Sequence, residues 1–263
     1  MKIQGSPANK EWIDALRLLL YEGQEINVRN KHTKELLNYT FKIDMTHPEI
    51  NILGRNVNKN FRAAEAAWIL SGDNRLENIK PYCKKYAEYS DDGIFMNGAY
   101  GPPVVDQLPY ILQAFKEDMS TRRAVISIWR PKPDTRSKDI PCTVSLQWIH
   151  RKGYIHCIAN MRSNDIWLGT VYDMYTFSMI TWWIVLELRN LCVTDFIAGT
   201  LYLNTGSLHL YRHNKDAAEA VLKVPIACAW DLENESRWQG DHECDGFMDG
   251  NELIDWLWAE ANK

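Results

Sequence analysis

The stretch from Pro141 to Leu188 constrains the fold of this chain most. Pro141-Cys142-Thr143-Val144-Ser145-Leu146-Gln147-Trp148-Ile149 is an apolar alternating run, the pattern of a strand. Arg151-Lys152-Gly153 supplies a turn, and Tyr154 to Met161 reads as the returning strand. A dense polar cluster follows, Arg162-Ser163-Asn164-Asp165, then Gly169, then a long apolar helix from Asp173 to Leu188. Adjacent antiparallel strands leading into a buried helix need a sheet with helices laid on it. The fold class is therefore α/β in the α+β layered sense, with a mixed sheet packed against helices.

The remaining segments fit one domain over residues 1–263, with no internal repeat. Ser6-Pro7 opens a helix whose Trp12, Leu16, Leu19 and Leu20 share a face, and Gly23 ends it. Leu36 to Ile43 is strand-like. Phe61 to Ser71 reads as a buried helix stopped by Gly72-Asp73-Asn74, with Glu65 as its one acid. Residues 79–103, rich in Tyr, Asp, Gly and Pro, read as irregular surface shaping a cleft. A helix over 105–117 and a strand over 124–129 precede a polar loop, Pro131 to Asp139. Strands are expected over 196–203 and 208–211, and a final helix from Asn251 closes an acidic, Trp-rich tail.

Composition excludes several function classes. Thirty Lys plus Arg against 34 Asp plus Glu give a net charge of −4, so no overall basic signature points to direct nucleic-acid binding. Basic residues are local, which suits a phosphate pocket better than a groove. No apolar run reaches membrane-spanning length, and Met1 to Ser6 lacks a signal-peptide core. The six cysteines lack CxxC spacing and read as reduced thiols in a cytoplasmic protein rather than as a disulfide framework or metal site.

Several residues carry chemistry that a plain structural role explains less well. Cys142 at a strand start, facing a cluster able to bind an anion, suits covalent catalysis, although a small buried thiol is the ordinary alternative. Nearby arginines would lower its pKa and raise its thiolate fraction. Arg122-Arg123 is either a solvated face or a pair of phosphate forks. Glu65 in an Ala- and Trp-rich helix must be paired, hydrated or functional, and Asp173 poses the same question beside Tyr172 and Tyr175. His209 and Tyr211, two apart on a strand, point to one side.

Taken in order, Arg29; Glu65, Trp68 and Ser71-Gly72-Asp73; Tyr100-Gly101-Pro102; Arg122-Arg123; Pro141-Cys142; Gln147; Arg162-Ser163-Asn164-Asp165; Gly169; Asp173; and His209-Leu210-Tyr211 resemble the thymidylate synthase-fold enzymes. The resemblance covers about residues 29–213, leaving 214–263 divergent. Three departures are similar to the bacteriophage deoxycytidylate hydroxymethylases: Thr143 where a synthase has His, Asp173 where it has Asn, and Gly206-Ser207-Leu208-His209-Leu210-Tyr211 in the later strand. The apolar end that synthases fold over their site is absent.

That resemblance implies 5,10-methylenetetrahydrofolate as one-carbon donor and a pyrimidine nucleoside monophosphate, dCMP, as acceptor. It implies Cys142 as nucleophile at ring carbon 6, Glu65 organising water and protons, and Tyr100 assisting loss of the carbon 5 proton. Arg29, Arg162 and Ser163 would hold phosphate, joined by Arg122 and Arg123 from the other subunit of a homodimer. Gln147 and Asn164 are expected on the nucleotide side, His209 and Tyr211 at the sugar hydroxyl, and Asp165, Gly169 and Tyr172, with Glu65, on the folate side. Asp173 would read the base: a carboxylate accepts from the cytosine amine and shares a proton with ring nitrogen 3, whereas an Asn amide matches uracil. The expected product is 5-hydroxymethyl-dCMP, made in the host cytoplasm if phage-encoded. Alternatives are a dCMP C5-methylase yielding dihydrofolate, a dUMP- or CMP-specific relative, and a non-catalytic nucleotide binder. In the tail, Asp241, Glu243, Asp245, Gly246, Asp249 and Glu252 fall at EF-hand loop positions, but Glu at the third position favours a solvated acidic turn over calcium.

Overall fold

A computed structural model describes residues 7–131, 136–192, 195–223 and 247–263. Helix α1 (Pro7–Glu22) buries Trp12, Ala15, Leu16 and Leu19 at helical spacing. Gly23 closes it, its amide donating to the Leu19 carbonyl at 3.0 Å. A hairpin follows, β1 (Gln24–Val28) and β2 (Lys31–Asp44), turned by Arg29 and Asn30 with φ of 51° and 62°. Two consecutive left-handed residues give the turn whose twist matches its flanking strands.

The chain then builds α2 (Lys59–Leu70), the short α3 (Leu76–Ile79), a 3-10 turn (Lys84–Glu88) and α4 (Gly101–Glu117). Next come β3 (Val125–Ser127), β4 (Thr143–Arg151), β5 (Tyr154–Met161), β6 (Asn164–Asp165) and α5 (Thr170–Cys192). Strand β7 (Ile197–Tyr211), α6 (Lys215–Lys223) and α7 (Gly250–Ala261) complete the described elements. The sheet order is β1-β2-β7-β5-β4-β3, with β6 beside β7. Pairs β5–β7 and β6–β7 are parallel and the others antiparallel, so the sheet is mixed, as expected.

Alternation along the strands sorts the two faces. Ile155, Cys157, Ala159 and Met161 of β5 and Leu201, Leu203 and Thr205 of β7 are buried in the core. The intervening residues are half-buried and carry a polar ladder: Thr40 donates to Asn204, Asn204 to Asn160, and Asn160 to Ser145, at 2.9–3.1 Å. Helix α5 is the spine of the core, with Met174 to Trp182 buried without interruption. Most of its inward-facing polar residues keep hydrogen bonds, whereas the buried Thr176 hydroxyl has no partner among the described residues. Ser178 and Thr181 donate back to the Met174 and Phe177 carbonyls, and Thr181 also accepts from Trp148 Nε1 at 3.0 Å. Among the described residues no helix is long and apolar enough to cross a membrane.

Several expectations are corrected. The two strands over 196–203 and 208–211 are one continuous β7. Asn204 to Ser207 look like a turn in sequence, but that stretch is paired to β2 on one side and, through Asn204 and Thr205, to β5 on the other. Asn38 of β2, which falls opposite Gly206, takes a left-handed φ of 56° without shifting the β2–β7 register. The helix expected from Val105 starts at Gly101, and that expected from Asp173 starts at Thr170. The 124–129 strand is shorter, Val125–Ser127. Residues 241–246 of the acidic loop lie outside the described residues; Asp249 caps α7 by accepting from the Asn251 and Glu252 amides.

Candidate active site

Cys142 immediately precedes β4, where the strand leaves the loop that Asp139 ties down through the Gly98 amide at 2.7 Å. Its carbonyl accepts from the Arg162 amide at 2.9 Å, which fixes β4 against the end of β5. The Arg162 guanidinium clamps the same stretch, donating to the Pro141 and Ile140 carbonyls at 2.9 and 3.0 Å. Its Nη2 then lies 3.8 Å from Cys142 Sγ. The arginine charges of Arg162 and Arg29 favour the thiolate, as expected. Burial outweighs them, however, and with the Asp173 and Asp139 charges it pushes the Cys142 thiol up rather than down. Cys142 therefore rests as a thiol.

Tyr100, at the start of α4, reaches the same point. Its hydroxyl oxygen accepts from the Thr143 amide at 3.3 Å, and burial with the nearby Cys142 and Asp173 charges holds its proton on firmly. Two glycines make this approach possible. A Cβ on Gly101 would lie 2.4 Å from the Asp73 carbonyl, and Gly72 turns the chain with φ 71°. The Ser71-Gly72-Asp73 turn is thus packed directly against the N-terminus of α4. Thr143 is fully buried, and its hydroxyl has no partner in the chain.

The polar cluster after β5 is a built network. Strand β6 pairs Asn164 with Leu208 and Asp165 with His209 of β7. Thr170 donates to Asn164 Oδ1, which directs Asn164 Nδ2 onto Asp173 Oδ2 at 3.0 Å. Burial first, and then the Glu65 charge, hold the Asp173 carboxyl well above the usual carboxylate range, with the Asn164 bond opposing. Asp165 Oδ1 accepts from the Trp167 and Leu168 amides at 2.8 and 3.0 Å, whereas Oδ2 is buried without a partner in the chain. Gly169 donates to the Asp165 carbonyl and accepts from the Tyr172 and Asp173 amides, starting α5. Tyr172 accepts from the Asn58 amide at 3.2 Å and packs edge-on to Phe61.

Glu65 comes from α2. Burial raises its carboxyl to about 7, and the hydroxyl of Tyr86, which donates to Oε1 in a very short bond, acts against the rise. Its charge is felt at Asp173, Tyr172 and Cys83, so these groups share one neighbourhood. Nothing in the sequence singles out Tyr86. It sits among the polar and aromatic residues of 79–103, where no periodic pattern marks it.

The sugar-side candidates lie together. His209 and Tyr211 share a face of β7, edge to face at 5.3 Å, and Tyr211 stacks on His213 at 5.6 Å. Beside them an open basic hollow of about 440 Å³ is lined by Lys31, His32, Tyr211, Arg212 and His213. Arg29 is exposed at the adjoining hairpin tip. Three candidates stand apart. Gln147 lies five residues along β4 from Cys142 and donates to the Arg122 carbonyl at 2.9 Å. Arg122 and Arg123 are exposed beside it, so this chain does not bring its own Arg122 and Arg123 to Cys142. Ser163 is half-buried between Arg162 and Asn164. Among the described residues no cluster of His, Cys, Asp and Glu is arranged to hold a metal ion, and Cys83, Cys142, Cys157 and Cys192 form no disulfide.

A family model described as thymidylate synthase matches residues 10–232. A protein of Bacillus phage SP01 named deoxyuridylate hydroxymethyltransferase is 30% identical over 231 residues, 79% of this chain and 58% of that protein. A protein of the same name from Pseudomonas phage M6 is 36% identical over 123 residues, 44% of this chain and 35% of the relative. The chain thus spans only 58% and 35% of the lengths of these two relatives.

Proposed function

Because this chain belongs to the thymidylate synthase family, we propose that it transfers a one-carbon unit from 5,10-methylenetetrahydrofolate to carbon 5 of dCMP and hydrates it to 5-hydroxymethyl-dCMP. The observation that carries the reading is the convergence of Cys142, Arg162, Tyr100, Asp173 and Glu65, drawn from five separate segments, on one neighbourhood. When bound, the folate supplies carbon at the oxidation level of formaldehyde. Asp165, Gly169, Tyr172 and Glu65 would hold it. The buried, partnerless Asp165 Oδ2 is an acceptor suited to the N–H donors of a pterin ring.

Each protein group has a defined task. The Cys142 thiol gives up its proton to solvent as its sulfur bonds to ring carbon 6, and the displaced ring electrons make carbon 5 nucleophilic. Arg162, Arg29 and Ser163 hold the phosphate, and the same positive charges stabilise the thiolate as it forms. Tyr100 assists loss of the carbon 5 proton, whose bonding pair would form the double bond to the exocyclic carbon while tetrahydrofolate leaves with the pair from its own bond to that carbon. Glu65 takes a proton from water as the water oxygen bonds to the exocyclic carbon. The electron pair passes into the ring and expels Cys142 from carbon 6 as thiolate. A carboxyl at about 7 can both take and return a proton near neutral pH. His209 and Tyr211 contact the sugar, with Gln147 and Asn164 supporting the nucleotide side.

Asp173 carries the choice of base. Its raised pKa supports a proton shared with ring nitrogen 3 of cytosine, leaving carboxylate oxygens to accept from that nitrogen and from the 4-amine. A second reading has its own support. A neutral carboxyl also offers one donor and one acceptor, which matches uracil, and the named relatives are deoxyuridylate enzymes. Mass spectrometry of the products from dCMP and dUMP with methylenetetrahydrofolate separates the two. A hydroxymethyl gain on dCMP without dihydrofolate supports the proposal. A gain on dUMP alone, or a methyl gain with dihydrofolate, replaces it.

We further propose a homodimer in which Arg122 and Arg123 serve the site of the neighbouring copy. Their distance from Cys142 within one chain and the half-exposed polar sheet face support this. Sedimentation should give twice the 30.6 kDa chain mass; a monomer with full activity would overturn it.

A further inference from the structure

We infer that Tyr86 is a positioning residue for Glu65: its hydroxyl fixes one carboxyl oxygen and leaves Oε2 as the atom that exchanges protons with the attacking water. This rests on the role of Glu65 proposed above. The geometry is specific. Tyr86 Oη donates to Glu65 Oε1, and the Tyr86 ring is held edge-on by Phe61 at 5.6 Å and by Trp68 at 6.2 Å. Phe61, Glu65 and Trp68 are successive turns of one face of α2. The ring is therefore seated by the same helix that carries the carboxyl, and the hydroxyl cannot swing away without unpacking both aromatics.

The surroundings make that one hydrogen bond matter. Asp173 and Tyr172 face Glu65 from α5, and Cys83 and Tyr86 face it from the segment around the 3-10 turn. Tyr100, from the start of α4, acts on Tyr86 in turn. None of these is a cation. The other elements packed on α2 bury apolar residues such as Leu76 of α3, Leu108 of α4 and Leu257 of α7. With no positive charge among these groups, the Tyr86 hydroxyl is what favours the ionised carboxyl against burial. A donor to the charged form stabilises the base that the water step needs, and does so without adding a charge that would compete with the substrate phosphate.

Tyr86→Phe isolates the hydroxyl, because the phenyl ring retains its packing on Phe61 and Trp68. Two readouts are needed. Carboxyl titration of Glu65 in the free protein, by infrared difference or carbon NMR against Glu65→Gln, should move up by about one pH unit in Tyr86→Phe. An unmoved titration overturns the inference whatever the enzyme makes. In turnover, the acid limb of kcat should shift the same way, with kcat at pH 7 down about fivefold and KM for the nucleotide unchanged. Tyr86→Phe placed on Glu65→Gln should cost nothing further; an undiminished additional loss would show that the tyrosine acts through packing. Wild-type protein that turns over neither dCMP nor dUMP would defeat the activity reading, while the titration would still decide whether Tyr86 tunes Glu65.

Discussion

The two walls of the site are built in different ways. The Cys142–Asp173 wall is nearly continuous in sequence: β4, a hairpin, β6 and the start of α5 place Cys142, Arg162, Asn164 and Asp173 through strand register and backbone hydrogen bonds. The Glu65–Tyr86–Tyr100 wall is assembled from α2, a 3-10 turn and the start of α4. Its members meet through aromatic contacts and the close approach at Gly101. The first wall holds the nucleophile and the base reader; the second holds the proton-handling groups. A register cannot drift by a fraction of a residue, whereas packing can adjust. Covalent attack and base reading thus sit on the stiffer frame, and proton transfer on the more adaptable one.

The largest expected effect breaks the first wall chemically. Cys142→Ser should lower turnover by at least about 10⁴-fold, since a serine hydroxyl beside Arg162 is a far weaker nucleophile toward carbon 6. Nucleotide affinity by calorimetry should stay within a few-fold, because Arg162 still holds its backbone acceptors. Turnover near the wild-type level would remove the covalent mechanism.

Asp173→Asn tests the reading function of the same wall. Asn164 donates to Oδ2 of residue 173, so in the variant it selects one amide orientation. An amide then offers one fixed donor and one acceptor, and cannot accept from both positions of a protonated cytosine. The ratio of kcat/KM for dCMP over dUMP should fall on the order of 10³-fold. An unchanged ratio would mean that the base is read elsewhere, and would favour the deoxyuridylate reading if dUMP was already preferred.

How legible each wall is in the sequence follows from the same distinction. The β4–β5 hairpin and α5 are readable because period-two alternation and a long apolar run are local signals. The cluster 162–165 stands out because four polar residues follow an apolar strand. Glu65 is visible as a single acid in a helix of Ala and Trp. Its partner Tyr86 is not, because no local pattern says which tyrosine of an irregular stretch folds back onto which helix. Strand β7 misleads for the opposite reason. Asn204-Thr205-Gly206-Ser207 carries a turn signal, and two neighbouring strands override it. The direction of the Cys142 pKa shift is illegible because arginine proximity can be read from sequence whereas burial cannot.

The smallest effect concerns stability, and it sharpens the contrast between the walls. Glu65 ionises at about 7 in the folded chain against 4.5 for an ordinary glutamate, so folding favours its protonated form. That contribution is fully present below pH 4.5, declines as pH rises through 7, and is gone above it. The difference corresponds to at most about 3 kcal/mol. Glu65→Gln keeps an acceptor for Tyr86 and removes the ionisation. The variant should therefore gain up to about 3 kcal/mol over wild type at pH 8 in urea unfolding, with the gap closing toward pH 4.5. Turnover should fall in the same variant, so the adaptable wall would trade stability for proton transfer. A gap independent of pH would show that Glu65 titrates normally, and would relocate the proton-handling group to Asp173 on the stiffer wall.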